Sequence, residues 1–516
     1  MPRADLRLGL AVGGTHTDGV VLAGPGRLLM KAKVPAATGF GASIAATVHE
    51  LIVGRGIAPE SITRVMVATD RIADALTERA DLTRVATLRI GGPLTQAVPP
   101  LAVWPRALRE SVSAGIAVVG GGTEFDGREA VPLDADAVRR FVADAAPRLG
   151  SVAITSVFSP LSADQELAAA AIVREEIGPL CPVSMSHEIG SIGLLARENA
   201  TVLNAALGGA AEALAATLER VLRAAGISAE ALFAQNDGTI MALHHALRFP
   251  MLMIGGIAAV GMRGGARLGG VEDGVVVDVG GSSTRIGVLV NGFPRESSSA
   301  IRVAGVRTGF RAPEIQDLPI GGGSVVRIDQ DMATVSASVV GRDRRALVFG
   351  GETPTLLDAA VAAGRTQVGD HPVPVVRRRP LSQALSAFDV RLVEAIDHAT
   401  AGMPPPAVIA IGGAGALVPD PLAGVAEIVR PADGDVAGAL GAAIALVGGH
   451  ADIICPNRAD RLRRSLEEAR VSAMARAVHA GADPDRVEIV DVEEIPLSYL
   501  ADPAVRIRVK AAGPHG

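Results

Sequence analysis

One pattern constrains this chain above all others: an apolar run, two glycines and a hydroxyl-rich turn, present twice at a spacing of 267 residues. The first copy occupies 8–18 (Leu-Gly-Leu-Ala-Val-Gly-Gly-Thr-His-Thr-Asp) and the second 275–285 (Val-Val-Val-Asp-Val-Gly-Gly-Ser-Ser-Thr-Arg). β-Forming residues continue after each, so both read as hairpins closed by a glycine turn. Glycine lets backbone N–H groups approach a ligand closely, and the hydroxyls add donors. One such doublet usually marks an ordinary hairpin. Two in the same register predict two related halves whose hairpins face each other as a phosphate clamp. Its ligand groups would be Gly13, Gly14, Thr15 and Thr17 on one side, and Gly280, Gly281, Ser282, Ser283 and Thr284 on the other.

A third stretch, 408–417 (Val-Ile-Ala-Ile-Gly-Gly-Ala-Gly-Ala-Leu), reads as a strand entering a tight turn and a helix. Gly412, Gly413 and Gly415 would suit contact with a nucleotide base and ribose; a buried strand with a structural turn explains them equally well. At 516 residues the chain has room for two or three domains. With 2% aromatics and 49% hydrophobic residues, the cores must be aliphatic. Net charge is −6, there are only three lysines, and the densest basic run is Arg377-Arg378-Arg379, so nucleic acid is excluded as a partner class. Two cysteines without metal or redox spacing, and no export leader or membrane helix, predict a cytoplasmic protein.

Along the chain, strands at 65–69, 85–90, 116–120, 152–158 and 183–185 alternate with helices at 71–80, 134–145 and 164–176. This predicts an α/β domain over 1–187. A long helical connector at 188–222 opens a second α/β domain, 188–457. It holds helices at 256–268, 355–363, 381–401 and 436–447 and short strands at 334–339 and 347–349. A tail at 458–516 adds a charged helix and two strands. No histidine has metal-ligand spacing.

With these motifs in order, the chain resembles the A subunit of the hydantoinase/oxoprolinase family, N-methylhydantoinase A-like, in a short form. The first hairpin (Gly13-Gly14-Thr15-x-Thr17-Asp18) is similar to that family's first phosphate loop, and Asp278–Thr284 to its second. The connector, with Arg197-Glu198-Asn199-x-Thr201, the turn Gln235-Asn236-Asp237-Gly238, the loop Ile320-Gly321-Gly322-Gly323-Ser324 and Gly412-Gly413-Ala414-Gly415 complete the likeness. It implies duplicated ribonuclease H-like (actin/Hsp70-like) halves around a nucleotide cleft. It also implies ATP with Mg²⁺, a cyclic-amide substrate, and a second hydrolase subunit in a homo- or hetero-oligomer. By the same likeness Asp278 and Asp18 are the catalytic acids, and Asp278 is the Mg²⁺ ligand. Glu198, Asn199 and the loop Gly321, Gly322 and Gly323 would meet substrate.

The phosphate loops depart from the family pattern at two places: Ala11 stands where an acid leads the first loop, and Arg285 where an acid trails the second; the Ser-Gly-Pro-Ala turn expected of the family also reads Ile254-Gly255-Gly256-Ile257 here. The cleft is therefore expected to be about two charges more positive than the pattern, with weak dependence on Mg²⁺. Three readings follow: an ATP-dependent cyclic-amide hydrolase subunit, a nucleotide-binding scaffold without turnover, and a small-molecule kinase.

Overall fold

The computed structural model describes residues 5–516 except 25, 37–38, 126, 191–192, 298–300, 311, 330–331, 341–344, 375–376 and 498–502. Its organising unit is a five-strand pattern used twice. Leu6–Val12 pairs antiparallel with His16–Ala23, which pairs antiparallel with Arg27–Pro35. On the other side of Leu6–Val12, Ile62–Thr69 runs parallel, followed by Glu230–Ala234. The second half repeats this order. Gly274–Val279 pairs with Thr284–Val290 and that with Ile315–Leu318, while Val408–Ile411 and Ile428–Val429 add in parallel. Both sheets therefore run 3-2-1-4-5, the duplicated ribonuclease H-like plan of the actin/Hsp70-like ATPases.

The two hairpins match residue for residue. Ala11 opposes Asp18 as Asp278 opposes Arg285. Gly13 N–H donates to His16 O at 3.0 Å, and Gly280 N–H to Ser283 O at 2.9 Å. Apolar residues fill the strand centres because both faces are covered: Leu8, Leu10, Val65 and Val67 in the first half, Val275, Val277 and Val408 in the second.

A separate all-parallel sheet sits between the fourth and fifth strands of the first half. Its order is Val183–Met185, Ser151–Ser156, Val85–Gly92, Ser113–Gly120. Helix Ala135–Ala145 beside it is capped as its sequence suggests, Asp134 accepting from Ala137 N–H at 2.9 Å. The connector is two helices, Leu194–Ala206 and Gly208–Ala224, bent by 42°. Beyond Glu230–Ala234 the first sheet continues through Ile240–Ala242, Val447–Pro456, Ala504–Gly513 and Glu488–Leu497. It thus draws strands from each of the three sequence segments.

Two element expectations are corrected. Residues 347–349 form a 3-10 turn rather than a strand, because Gly350 reverses the chain at φ 77° and Val348 N–H is taken by Asp358 Oδ1. The helix expected at 436–447 is Ala437–Ile444, and the chain then enters Val447–Pro456.

Helices Gly256–Gly269 and Ala437–Ile444 cross between the halves with backbones in contact. A Cβ on Gly264 would collide with Ala437 O, and one on Gly441 with Val260 O. No single helix among the described residues is long and apolar enough to cross a membrane.

Candidate functional site

The two glycine turns meet. A Cβ placed on Gly281 would lie 3.0 Å from Thr15 Oγ1 and 3.1 Å from Thr15 Cγ2. Among the described residues, no hydrogen-bond partner holds the N–H groups of Gly14, Thr15, Gly281 and Ser282, the hydroxyls of Thr15, Ser282 and Ser283, or the ring of His16. Facing turns with spare donors form an anion-binding concavity.

Asp278 lies at the centre of this cleft. Its carboxylate makes no hydrogen bond or ion pair with any described residue. Burial pushes its pKa up, Arg285 and Lys33 pull it down, and Asp70 adds a smaller upward push. The nearby cations are held by other acids. Lys33 Nζ is 2.7 Å from Asp18 Oδ1 and donates to Asp435 O at 3.0 Å. Arg285 Nη2 is 2.8 Å from Asp70 Oδ2. Lys31 bridges Asp433 at 3.0 Å and Asp435 at 2.9 Å. The Asp18 carboxyl is pushed up to about 6, burial outweighing Lys33, with Asp278 and Asp435 adding to the rise. Burial, with a smaller contribution from Lys33, pushes His16 down.

The strand–turn at Gly412 closes the same end. Gly412 has φ 86°, and a Cβ there would collide with Asp278 Oδ1 and Val279 O. A Cβ on Gly413 would stand 3.1 Å from Lys33 Cε. Gly415 is buried and donates back to Gly412 O. These glycines adjoin the clamp at its charged centre.

Several expected ligand residues turn away from the cleft or are engaged elsewhere. Thr17 and Thr284 alternate to the strand face opposite Asp18 and Arg285. Thr17 is fully buried, and Thr284 donates to Ile320 O at 2.7 Å. The Gly321–Gly323 loop braces the second turn: Gly322 and Gly323 N–H donate to Gly280 O and Gly281 O, and Gly321 N–H to Ser324 Oγ. A side chain at Gly321 would fall 2.6 Å from Gly280 O, so only glycine fits.

Glu198 and Asn199 do not face the cleft as free groups. Glu198 forms a bidentate ion pair with Arg89, both bonds 2.6 Å, with the side chains 2% and 0% exposed. Asn199 accepts from Trp104 Nε1 at 2.7 Å and donates to Arg307 O at 2.8 Å.

The cleft also holds charged groups that lie outside the motifs. Three cations, Lys31, Lys33 and Arg285, stand among five carboxylates, Asp18, Asp70, Asp278, Asp433 and Asp435. Lys33, Asp70 and Asp435 were not singled out by the sequence motifs. The available signal was that two of only three lysines, Lys31 and Lys33, share one face of the strand after the first hairpin.

Comparison with known proteins agrees with this architecture. The model of the hydantoinase/oxoprolinase N-terminal region matches residues 7–177, and that of hydantoinase/oxoprolinase matches 197–376. The chain is similar in structure to an ATP-dependent caprolactamase from Pseudomonas jessenii, with TM-score 0.78 and 19% identity over 98% of this chain and 87% of that one. It is also similar to a nucleotide-free acetone carboxylase, with TM-score 0.66 and 16% identity over 99% and 88%. At such identities the likeness speaks to the fold. Among curated proteins, none matches the sequence significantly. The two matched regions span most of the chain and carry both hairpin halves of the cleft: the chain belongs to the hydantoinase/oxoprolinase family.

Proposed function

We propose that this chain binds ATP between its two hairpins and uses it to activate a cyclic amide, of the hydantoin, 5-oxoproline or lactam kind, by phosphorylation. The observation that carries this reading is the meeting of two equivalent, donor-rich turns around one carboxylate, Asp278, that no protein cation holds. The free N–H and hydroxyl groups would bind phosphate oxygens, with Lys33 and Arg285 flanking the charge that develops on transfer. The Gly412–Gly413 turn would border the nucleotide.

The amide oxygen attacks the γ-phosphorus while the bond to the oxygen bridging from ADP breaks, giving a phosphorylated imidate and ADP. Water adds to the imidate carbon, the C–N bond breaks as nitrogen takes a proton, and the acyl phosphate is hydrolysed. We assign this hydrolytic half to a partner subunit in a hetero-oligomer.

Mg²⁺ fits as an ion carried by the nucleotide. It commonly takes one or two carboxylates together with phosphates and water, and Asp278 offers one carboxylate. Among the described residues there is no cluster of three or more His, Cys, Asp or Glu to hold a resident metal. Bound with ATP, the ion would neutralise phosphate charge.

The scaffold reading has one observation behind it. Ala11 is buried among Val20, Val436 and Leu440, so the first hairpin offers an apolar surface where the second offers Asp278. Phosphate release from ATP, measured across a panel of lactams and hydantoins, separates the alternatives. Amide-stimulated release is expected, and Asp278→Asn should lower kcat by about 100-fold or more with nucleotide affinity changed by less than about threefold. ATP binding without stimulation by any amide would leave the scaffold reading standing. A stable phosphorylated product seen by phosphorus NMR would point to a kinase.

A further inference from the structure

The reaction assigned to the cleft leaves one proton without an acceptor. An amide whose oxygen attacks phosphorus becomes more acidic at nitrogen. Its N–H proton must leave before a neutral phosphorylated imidate can form. A positioned side chain that takes such a proton contributes roughly 10²–10⁴-fold, so a base is expected within reach of the amide. Asp278 is assigned to Mg²⁺, and Asp18 Oδ1 is tied to Lys33 Nζ at 2.7 Å.

His16 is the group that remains. It is the one imidazole in the two glycine turns. Strand alternation puts it on the face of Asp18, opposite the fully buried Thr17. That face looks into the cleft: Asp18 meets Lys33 and feels Asp278, and Lys33 acts on the His16 ring as well. The backbone around His16 is fixed. His16 O accepts from Gly13 N–H at 3.0 Å, and Thr15 O accepts from Ala36 N–H at 2.8 Å. Thr15 in turn borders Gly281, so the ring stands beside the point where the two turns meet.

The ring is partly exposed and has no hydrogen-bond partner among the described residues, so a nitrogen is free to accept a proton. The charged groups around it are Asp18 on its own strand, Lys33 on the next, Asp435 beyond Lys33, and Asp70, Asp278 and Arg285. Burial, with Lys33 adding to it, holds the imidazole below the ordinary histidine range, and it is therefore neutral near pH 7. Bound phosphates act in the opposite sense and would make it a stronger base.

We propose, on the reading of the cleft as an ATP and amide site, that His16 is the catalytic base of the phosphorylation step and selects amides that carry an N–H. The bond from the amide oxygen to the γ-phosphorus forms. The bond from phosphorus to the oxygen bridging from ADP breaks, and its electron pair leaves with ADP. The N–H proton passes to the free imidazole nitrogen, and the N–H electron pair becomes the second bond of the C=N group.

ADP formation by the full chain, with N–H lactams and their N-methyl derivatives, tests this. With a stimulating N–H lactam, His16→Gln should lower kcat about 100-fold or more and remove the fall in rate at acid pH. It should change ATP affinity, read by calorimetry, by less than about threefold. His16→Ala should regain part of its rate when free imidazole is added, and Asp18→Asn should keep the acid fall. In the natural chain held with a non-hydrolysable ATP analogue, the lactam should shift the His16 ring signals in NMR. Stimulated turnover that survives His16→Gln, an acid fall lost in Asp18→Asn but kept in His16→Gln, or unmoved ring signals would overturn the base and leave the ATP and amide reading standing. No stimulation of the natural chain by any N–H amide would overturn that reading and the base with it.

Discussion

At Asp18, burial and a salt bridge pull in opposite directions, and burial wins: the carboxyl sits near 6 despite Lys33 at 2.7 Å. A carboxyl whose folded pKa exceeds its unfolded value holds its proton more tightly when folded. Its contribution to stability is therefore complete below about pH 4 and is lost as pH rises through about 6. Asp18→Asn abolishes this titration. The stability of the natural chain relative to that variant should fall by on the order of 2 kcal/mol between pH 4 and pH 7, less than the full shift because Asp18 keeps some contact with water. Denaturant unfolding at a series of pH values measures it; a flat difference would mean that Lys33 cancels burial, and a difference that rises with pH that Lys33 outweighs it. Glu198 presents the contrasting case, a carboxylate wholly committed to a protein cation. Glu198→Ala strands the Arg89 guanidinium among buried groups and should cost about 3–5 kcal/mol of stability. A direct role in binding substrate would show instead as lost kcat/KM with an unchanged unfolding midpoint.

At the scale of elements, the crossing of Gly256–Gly269 and Ala437–Ile444 matters most, because each helix supports one hairpin. Gly261 borders Asp278 Oδ2, and Gly438 borders Ala11 Cβ, the equivalent position of the other half. Gly441→Ala drives a methyl into Val260 O and should cost 1–3 kcal/mol or more. It should also weaken ATP binding, because the hairpins are forced apart. A lower melting temperature with unchanged ATP affinity would show that the crossing supports the fold but not the clamp. The hairpins themselves were legible from sequence because turn chemistry is local: Gly13-Gly14 and Gly280-Gly281 fix their own backbone, as Asp134 fixes the start of its helix. The strand Val447–Pro456 was hidden by Gly448-Gly449, residues of weak β preference. Their reason is distant in the chain, since a Cβ on Gly449 would collide with Ala477 N in the tail helix. The roles of Glu198 and Asn199 were hidden likewise. Their partners Arg89 and Trp104 lie about a hundred residues away. A lone charged residue inside the wholly buried run of Val85–Gly92 was the one local sign that a buried acid must meet it.

At the scale of the whole molecule, the two halves are tied across the cleft by charge. Lys31 and Lys33 reach from the first sheet to the segment holding Asp433 and Asp435, and Asp70 reaches from the first sheet to Arg285 in the second. The motif residues alone suggested a cleft about two charges more positive than the family pattern, because Ala11 and Arg285 replace acids. The folded chain brings in Asp70, Asp433 and Asp435 from positions no motif marks, and five carboxylates then face three cations. ATP is strongly anionic, so entering this cleft alone means placing phosphate beside unpaired Asp278. A divalent ion carried with the phosphates relieves that repulsion. ATP should therefore bind at least about tenfold more tightly with Mg²⁺ than with a chelator, a difference of about 1.4 kcal/mol. Arg285→Asp removes a cation and leaves Asp70 without its partner, so it should widen the gap further. Ala11→Asp differs, since its carboxylate enters the apolar cluster of Val20, Val436 and Leu440 and should lower stability without Mg²⁺. Calorimetric titration of ATP into the natural chain and the Arg285→Asp variant, each with Mg²⁺ and with chelator, decides the matter. Equal affinity in the two conditions for the natural chain would mean that Lys33 and Arg285 leave their acids for the phosphates and do the ion's work.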